Sequence, residues 1–373
     1  MGTRKAIRKA IVTRMASTAI RKVSFIGTGI MGAPIAGHLM DAGYELTVYT
    51  RSGEKAKGLI DRGARWAPDV ESAALGADVV FTMLGYPEDV EDVYLATDGL
   101  IRSTKKGAWM VDLTTSSPGL ARDIHDAAEV EDKHAFDCPV TGGEQGAIDG
   151  TLTLMAGARK DDATVLQPLL ESFSSKIYYL GGAGRGQIAK LCNQVSLGAA
   201  MMGYADALAL AGRAGMDKAQ VLDIISHGLG GSVALSQLGP KSVAGDYKPG
   251  FLAEHLRKDL GLAIFEADDL DIALPSAEAA YGLYDILCQV GGSRLGTQAV
   301  TLLYSDDASG TAAGLDWSKL DVPDYNHDDY DHGGHEHHHH HHHHDHDHLE
   351  NEESGEALEY NIDTFVYYAR RPF

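Results

Sequence analysis

The sequence predicts an α/β fold, a doubly wound parallel sheet followed by an all-helical domain, and three observations carry that prediction. Short β-branched and aromatic runs alternate with helical periodicities over residues 22–185. Helical periodicities alone continue over residues 186–320. A glycine-rich turn, Gly27-x-Gly29-x-x-Gly32, closes the first run and opens the first helix. Strands alternating with helices need crossovers that cover both faces of a parallel sheet.

Taken in order, Lys22 to Gly27 reads as a strand feeding a tight turn. Residues 30–42 carry apolar side chains at helical spacing until Gly43 stops them. Glu45 to Thr50 is the second strand, and Ser52 offers an N-cap for a helix over 55–60. Residues 77–84 and 108–112 are later strands, accompanied by helices near 88–95 and 118–130. In the second domain the periodicity predicts helices at 187–213, 217–227, 254–268, 276–290 and 295–304. The first of these is apolar on most faces, as expected of a helix buried between domains or subunits.

The chain has 373 residues, 44% of them hydrophobic, enough for a large core and two domains. Its net charge of -21 is uneven. Residues 321–373 form an acidic tail, and residues 1–21 a basic extension with no acid before Asp41. The acidic middle argues against a nucleic-acid partner. No run of about 18 uninterrupted apolar residues marks a membrane span. Cys138, Cys192 and Cys288 are widely spaced, which fits free thiols in a reducing compartment. The basic extension has the look of an organelle-targeting segment, with the mitochondrial matrix as destination. A start at Met15, or a plain extension, is the favoured reading, with a cytoplasmic site of action.

The tail holds an unbroken run of histidines from His337 to His344, and 13 of the chain's 18 histidines lie in 327–348. Such a stretch cannot build a packed core. His337, His339, His341 and His343 are its candidate ligands for nickel or zinc. No spacing within 22–320 indicates a catalytic metal.

The glycine turn has a phosphate-binding pattern in the right context, after a strand and before a helix. Gly27 permits the turn, Gly29 admits a pyrophosphate, and Gly32 lets the helix pack on the strand. Thr28, Ile30 and Met31 complete the cradle. This is the Rossmann-type signature of a dinucleotide site. The residue that reads the adenosine ribose falls at the end of the second strand. There Thr50-Arg51-Ser52 stands where an acid would select NAD. A guanidinium with two hydroxyls suits a 2′-phosphate, so NADP is expected first and NAD second.

Four blocks in order, Gly27 to Gly32, Asp137 to Gly143, Gly184 to Gln194 and Lys258-Asp-Leu260, resemble the β-hydroxyacid dehydrogenase family over about residues 22–320. The resemblance implies reversible NAD(P)-linked oxidation of a small 3-hydroxy acid to its semialdehyde. It further implies that Leu84 and Thr115 lie beside the cofactor and that Lys258 approaches it from the second domain. Thr141, Gly142 and Gly143 would hold the substrate carboxylate, and Lys190 would be the catalytic lysine. Many members have Asn four residues after that lysine. Here Gln194 takes the position, preceded by Asn193, so the amide donor is one of these two.

The residues alone point the same way. Lys190, Asn193 and Gln194 share one helix face at i, i+3 and i+4. An ammonium beside an amide can polarise a carbonyl and deliver a proton. Burial beside a second cation would draw the lysine pKa towards neutrality. Cys138 and Cys192 are expected to pack, and His38 to lie on a helix surface. A homodimer or homotetramer is expected. The competing readings are an imine reductase-like relative and a catalytically silent scaffold or metal-binding protein.

Overall fold

The computed structural model describes residues 20–305 and 307–320. The basic extension before Ile20 and the tail with His337, His339, His341 and His343 lie outside the described residues. Strands β1 (Lys22–Ile26), β2 (Glu45–Tyr49), β3 (Arg65–Trp66), β4 (Val79–Thr82), β5 (Trp109–Asp112) and β6 (His134–Asp137) form one sheet. Its order is β3-β2-β1-β4-β5-β6 and every pairing is parallel. This is the Rossmann-type arrangement, in which the strand order reverses between β1 and β4 and a crevice opens at their carboxyl ends. A smaller sheet follows from β7 (Val140–Thr141), β8 (Leu152–Ala156) and β9 (Ser174–Tyr179). In it β7 runs antiparallel to β8, and β8 parallel to β9.

The principal helices are α1 (Gly32–Asp41), α2 (Pro87–Leu95), α3 (Pro118–Val130) and α4 (Gly143–Asp149) in this first region. The helical region holds α5 (Arg185–Arg213), α6 (Lys218–Ser226), α7 (Val233–Val243), α8 (Ala253–Asp269) and α9 (Pro275–Gln289). The large sheet is covered on both faces. Phe25, Phe81 and Phe173 interlock on one side, with centroids 6.2 and 5.9 Å apart. Tyr94, Met110 and Ile124 fill the other. The helical core gathers around Tyr204, Leu256 and Tyr284. Tyr284 keeps its hydroxyl in this core by donating to Thr297 O at 2.9 Å.

Several expectations need correction. The segment after β2 begins as a 3-10 turn (Gly53–Ala56), becoming α-helical only over Lys57–Asp61. Ser52 has the extended backbone of a cap but makes no capping bond through its side chain. The last expected helix is a 3-10 helix, Thr297–Tyr304. Helix α7 was not expected, because Pro240 sits inside it and Gly228 to Gly231 precede it. Strands β8 and β9 also had no separate expectation. His38 is half-buried at the surface of α1, and its Nε2 lies 3.0 Å from both Ala147 O and Ile148 O, tying α1 to the end of α4. Cys138 is buried as expected, whereas Cys192 is exposed on α5.

The junction between the two regions is tight. Asp137, at the end of β6, accepts from Gly184 N at 2.7 Å and Gln187 N at 2.8 Å, so a buried carboxylate caps α5. The fit allows no side chain at Gly186, where a Cβ would stand 2.2 Å from Met155 O. Asp137→Ala should therefore destabilise the fold by about 3 kcal/mol, the scale of losing charge-assisted bonds to buried N–H groups. Asp137→Asn should recover part of this by keeping an acceptor. Urea unfolding checks both, and a loss below about 1 kcal/mol in the alanine variant would deny the carboxylate this role.

Candidate active site

The site forms where the carboxyl ends of β1, β4 and β5 meet the first turns of α5 and the middle of α8. Its floor is the glycine turn. Gly27 has φ of +95°, and a Cβ there would lie 2.2 Å from Met83 O. Gly32 packs so closely that a Cβ would stand 1.9 Å from Gly27 O. Gly29 differs, because an added Cβ would meet nothing within 4 Å. Its need for glycine comes from outside the protein, as expected where a pyrophosphate approaches the backbone. Thr28 is buried, and its hydroxyl has no partner within the protein, a donor waiting for a ligand oxygen. Ile30 is exposed at the rim and Met31 packs inward at the start of α1. These residues fit a dinucleotide.

At the ribose end the three residues part company. Thr50 is buried, and only Arg51 and Ser52 are exposed. Arg51 Nη1 lies 3.2 Å from Asp89 Oδ1 on α2. That pair sits in solvent on the arginine side, so its net worth is about 0.2–1 kcal/mol and an arriving phosphate can displace it.

Leu84 and Thr115 belong to the loops after β4 and β5. The Leu84 N–H donates to Thr114 Oγ1 at 2.9 Å, binding the two loops together. Lys258 reaches across from α8 and donates to Thr115 O at 2.6 Å and Gly85 O at 3.1 Å. The three expected substrate-loop residues lie together at the start of α4: Thr141 is half-buried, and Gly142 and Gly143 are exposed. Gly142 and Gly143 have φ of +133° and +65°, so this turn depends on glycine.

Lys190 projects from the second turn of α5 and is only 8% exposed. Burial is the main cause that pulls its pKa down to about 8; Lys258 pulls the same way, while Asp259 opposes both. The expected amides are next to it but differ in role. Gln194 is buried and donates to Asp259 Oδ2 at 2.6 Å. Asn193 is half-buried and donates to Gln194 Oε1 at 2.8 Å, leaving its remaining N–H and its carbonyl for another partner.

Asp259 and Gln187 are buried in the site, and sequence reasoning gives neither a role. Asp259 is buried, with Lys258 Nζ 3.1 Å from its Oδ1 in an ion pair that falls short of hydrogen-bond geometry. The available signal was position: Asp259 lies on the face of α8 that holds Leu256, Leu260 and Ala263. Gln187 likewise lies on the buried face of α5. Tyr86, Phe251 and His255 form an aromatic wall nearby, with His255 5.6 Å from the Tyr86 ring. Burial, then Lys258, holds the His255 pKa below its usual value.

Comparison with known proteins agrees with this geometry. Residues 22–181 match the family model for the NAD binding domain of 6-phosphogluconate dehydrogenase. Residues 184–304 match that described as NAD-binding of NADP-dependent 3-hydroxyisobutyrate dehydrogenase. A 3-hydroxyisobutyrate dehydrogenase of Pseudomonas aeruginosa is 32% identical over 281 residues, 74% of this chain and 94% of that one. An NAD-dependent L-serine dehydrogenase of the same organism is 36% identical over 73% of this chain and 94% of its own. The solved structure of Mycobacterium tuberculosis 3-hydroxyisobutyrate dehydrogenase with L-serine superposes with a TM-score of 0.70 at 30% identity. That match covers 77% of this chain and 100% of the other.

Asp259 is the group that favours the charged form of Lys190. Asp259→Asn should therefore move the lysine titration below about 8, and NMR of the labelled lysine Nζ reads this directly. A midpoint that stays put or rises would show that the carboxylate does not govern the ammonium.

Proposed function

The chain belongs to the β-hydroxyacid dehydrogenase family, and on that premise we propose that it interconverts a small 3-hydroxy acid and its semialdehyde, with Lys190 as general acid/base and NADP preferred over NAD. As an NAD(P)-dependent oxidoreductase it draws the hydride of the reaction from, or returns it to, the bound nicotinamide. The single observation that carries the lysine's role is its place: a buried side chain on α5 between Lys258 and Asp259, where burial pulls its pKa down to about 8. In reduction, Lys190 hands a proton to the carbonyl oxygen; in oxidation, the free amine takes the proton of the alcohol. Asp259 keeps the ammonium form accessible, and Lys258 limits how tightly the proton is held.

The turn at Thr141–Gly143 supports a carboxylate by its accessible N–H groups and the threonine hydroxyl. L-serine, seen with the M. tuberculosis relative and named in the P. aeruginosa one, is itself a carboxylate with a hydroxyl at C3. That favours the 3-hydroxy acid class over imines. A panel of 3-hydroxyisobutyrate, L-serine, tartronate and succinic semialdehydes, each with NADP(H) and NAD(H), tests the reading. Turnover of none would refute it.

Lys190→Ala should lower turnover by at least ~10²-fold, the usual scale for losing a positioned acid/base. NADPH binding, followed by its fluorescence, should persist because the glycine cradle is untouched. The wild-type reductive rate should fall as pH rises through about 8, where the ammonium is lost, and the oxidative rate should rise over the same range. Identical profiles in both directions would contradict the assignment.

Arg51→Asp should shift preference from NADPH towards NADH by about tenfold or more, since one charge-assisted contact is worth roughly 1.5–3 kcal/mol. Asp89→Asn should move preference the other way, because it frees the guanidinium. A wild type that prefers NADH would overturn the Arg51 reading.

A further inference from the structure

We propose that Gln187 is a positioning residue that sets Lys190 at its working distance from the loop after β5, an inference that rests on Lys190 being the acid/base. Both ends of its amide are engaged with the main chain of that loop. Gln187 Oε1 accepts from Ser116 N at 2.9 Å, and Gln187 Nε2 donates to Thr114 O at 2.8 Å. The side chain is fully buried, and its own backbone N–H is held by Asp137 at 2.8 Å. Lys258 takes the carbonyl of the residue between, Thr115. Three consecutive residues of one loop are thus gripped from the helical region by two side chains.

A primary amide that accepts at one end and donates at the other behaves like a segment of neighbouring strand. Two parallel bonds fix twist as well as distance, which one bond cannot do. Lys190 lies three residues further along the same helix, on the same buried face. A shift of the loop against α5 therefore becomes a shift of the loop against the ammonium. Displacement of a reacting group by about 1 Å can cost on the order of 10²-fold in rate. The start of α5 is already secured by Asp137. Gln187 instead joins the helix to the loop that carries Thr115.

The test uses the full chain and two variants. Gln187→Met keeps the shape and removes both bonds. Its kcat for 3-hydroxyisobutyrate oxidation with NADP should fall at least tenfold, with KM and NADPH affinity changing less than threefold. In the cofactor-free protein, hydrogen exchange at the Ser116 amide should quicken at least tenfold. Gln187→Glu supplies a control independent of folding losses. Its protonated carboxyl can accept from Ser116 N and donate to Thr114 O, whereas the carboxylate repels that carbonyl. Its Ser116 protection should match wild type at acidic pH and weaken as pH rises and the repelled loop moves away, and the ratio of its reductive rate to that of wild type should fall over the same range. The proposal is overturned if Gln187→Met keeps kcat within threefold, if its loss lies wholly in KM or cofactor affinity, or if Gln187→Glu shows no pH-dependent protection. Should no substrate of the panel turn over, the exchange arm still decides whether Gln187 clamps the loop, so the two failures are distinguishable.

Discussion

The carboxylate of Asp137 at the head of α5 is the interaction on which the rest of the arrangement depends. It ends β6, the edge strand of the large sheet, yet its oxygens accept from N–H groups of the other region. Burial pushes its pKa up and those N–H groups pull against the shift. Its strand neighbour in register is Asp112, whose pKa burial pushes to about 6. Two buried acids side by side would repel each other if left bare. Here Asp112 accepts from Thr82 Oγ1 at 2.7 Å and Thr114 N at 3.1 Å, while Asp137 is committed to α5. The strand ends are therefore polar by construction, and that polarity orients both the loop after β5 and the lysine helix.

Around Lys190 the electrostatics are a balance of close neighbours. Lys258 and Asp259 are adjacent in sequence and act on it with opposite sign. Neither is free to drift, because Lys258 is tied to Gly85 O and Thr115 O and Asp259 to Gln194. A low-dielectric pocket magnifies each of these terms, which is why small changes in geometry should appear first as changes in proton affinity.

Much of this was legible in the sequence. The glycine turn announced itself because its requirements are local: a positive φ, a close helix and an open approach at Gly29. The helices α3, α5, α8 and α9 were legible from periodicity, as was the face shared by Lys190, Asn193 and Gln194. The resemblance to the family supplied Thr141–Gly143, Leu84, Thr115 and Lys258. What could not be read was partnership across long separations. Gln187 finds Thr114 and Ser116, and Gln194 finds Asp259, only after the two regions have docked. Sequence spacing left the roles of Asn193 and Gln194 open, and packing divided them. The exposure of Cys192 was unreadable for a similar reason, since exposure on one helix is decided by what another helix covers.

Helix α5 starts at Arg185, one residue after the cap at Gly184, and its first turn is anchored to the sheet by Asp137. At 29 residues it is a rod about 43 Å long. Lys190 stands about 8 Å from the anchored end. A tilt of one degree about that anchor would move the far end by roughly 0.7 Å but the lysine by only about 0.1 Å. The reacting group sits near the fulcrum, where angular noise is smallest. The helical region can therefore vary its distal surface widely while the lysine stays in alignment.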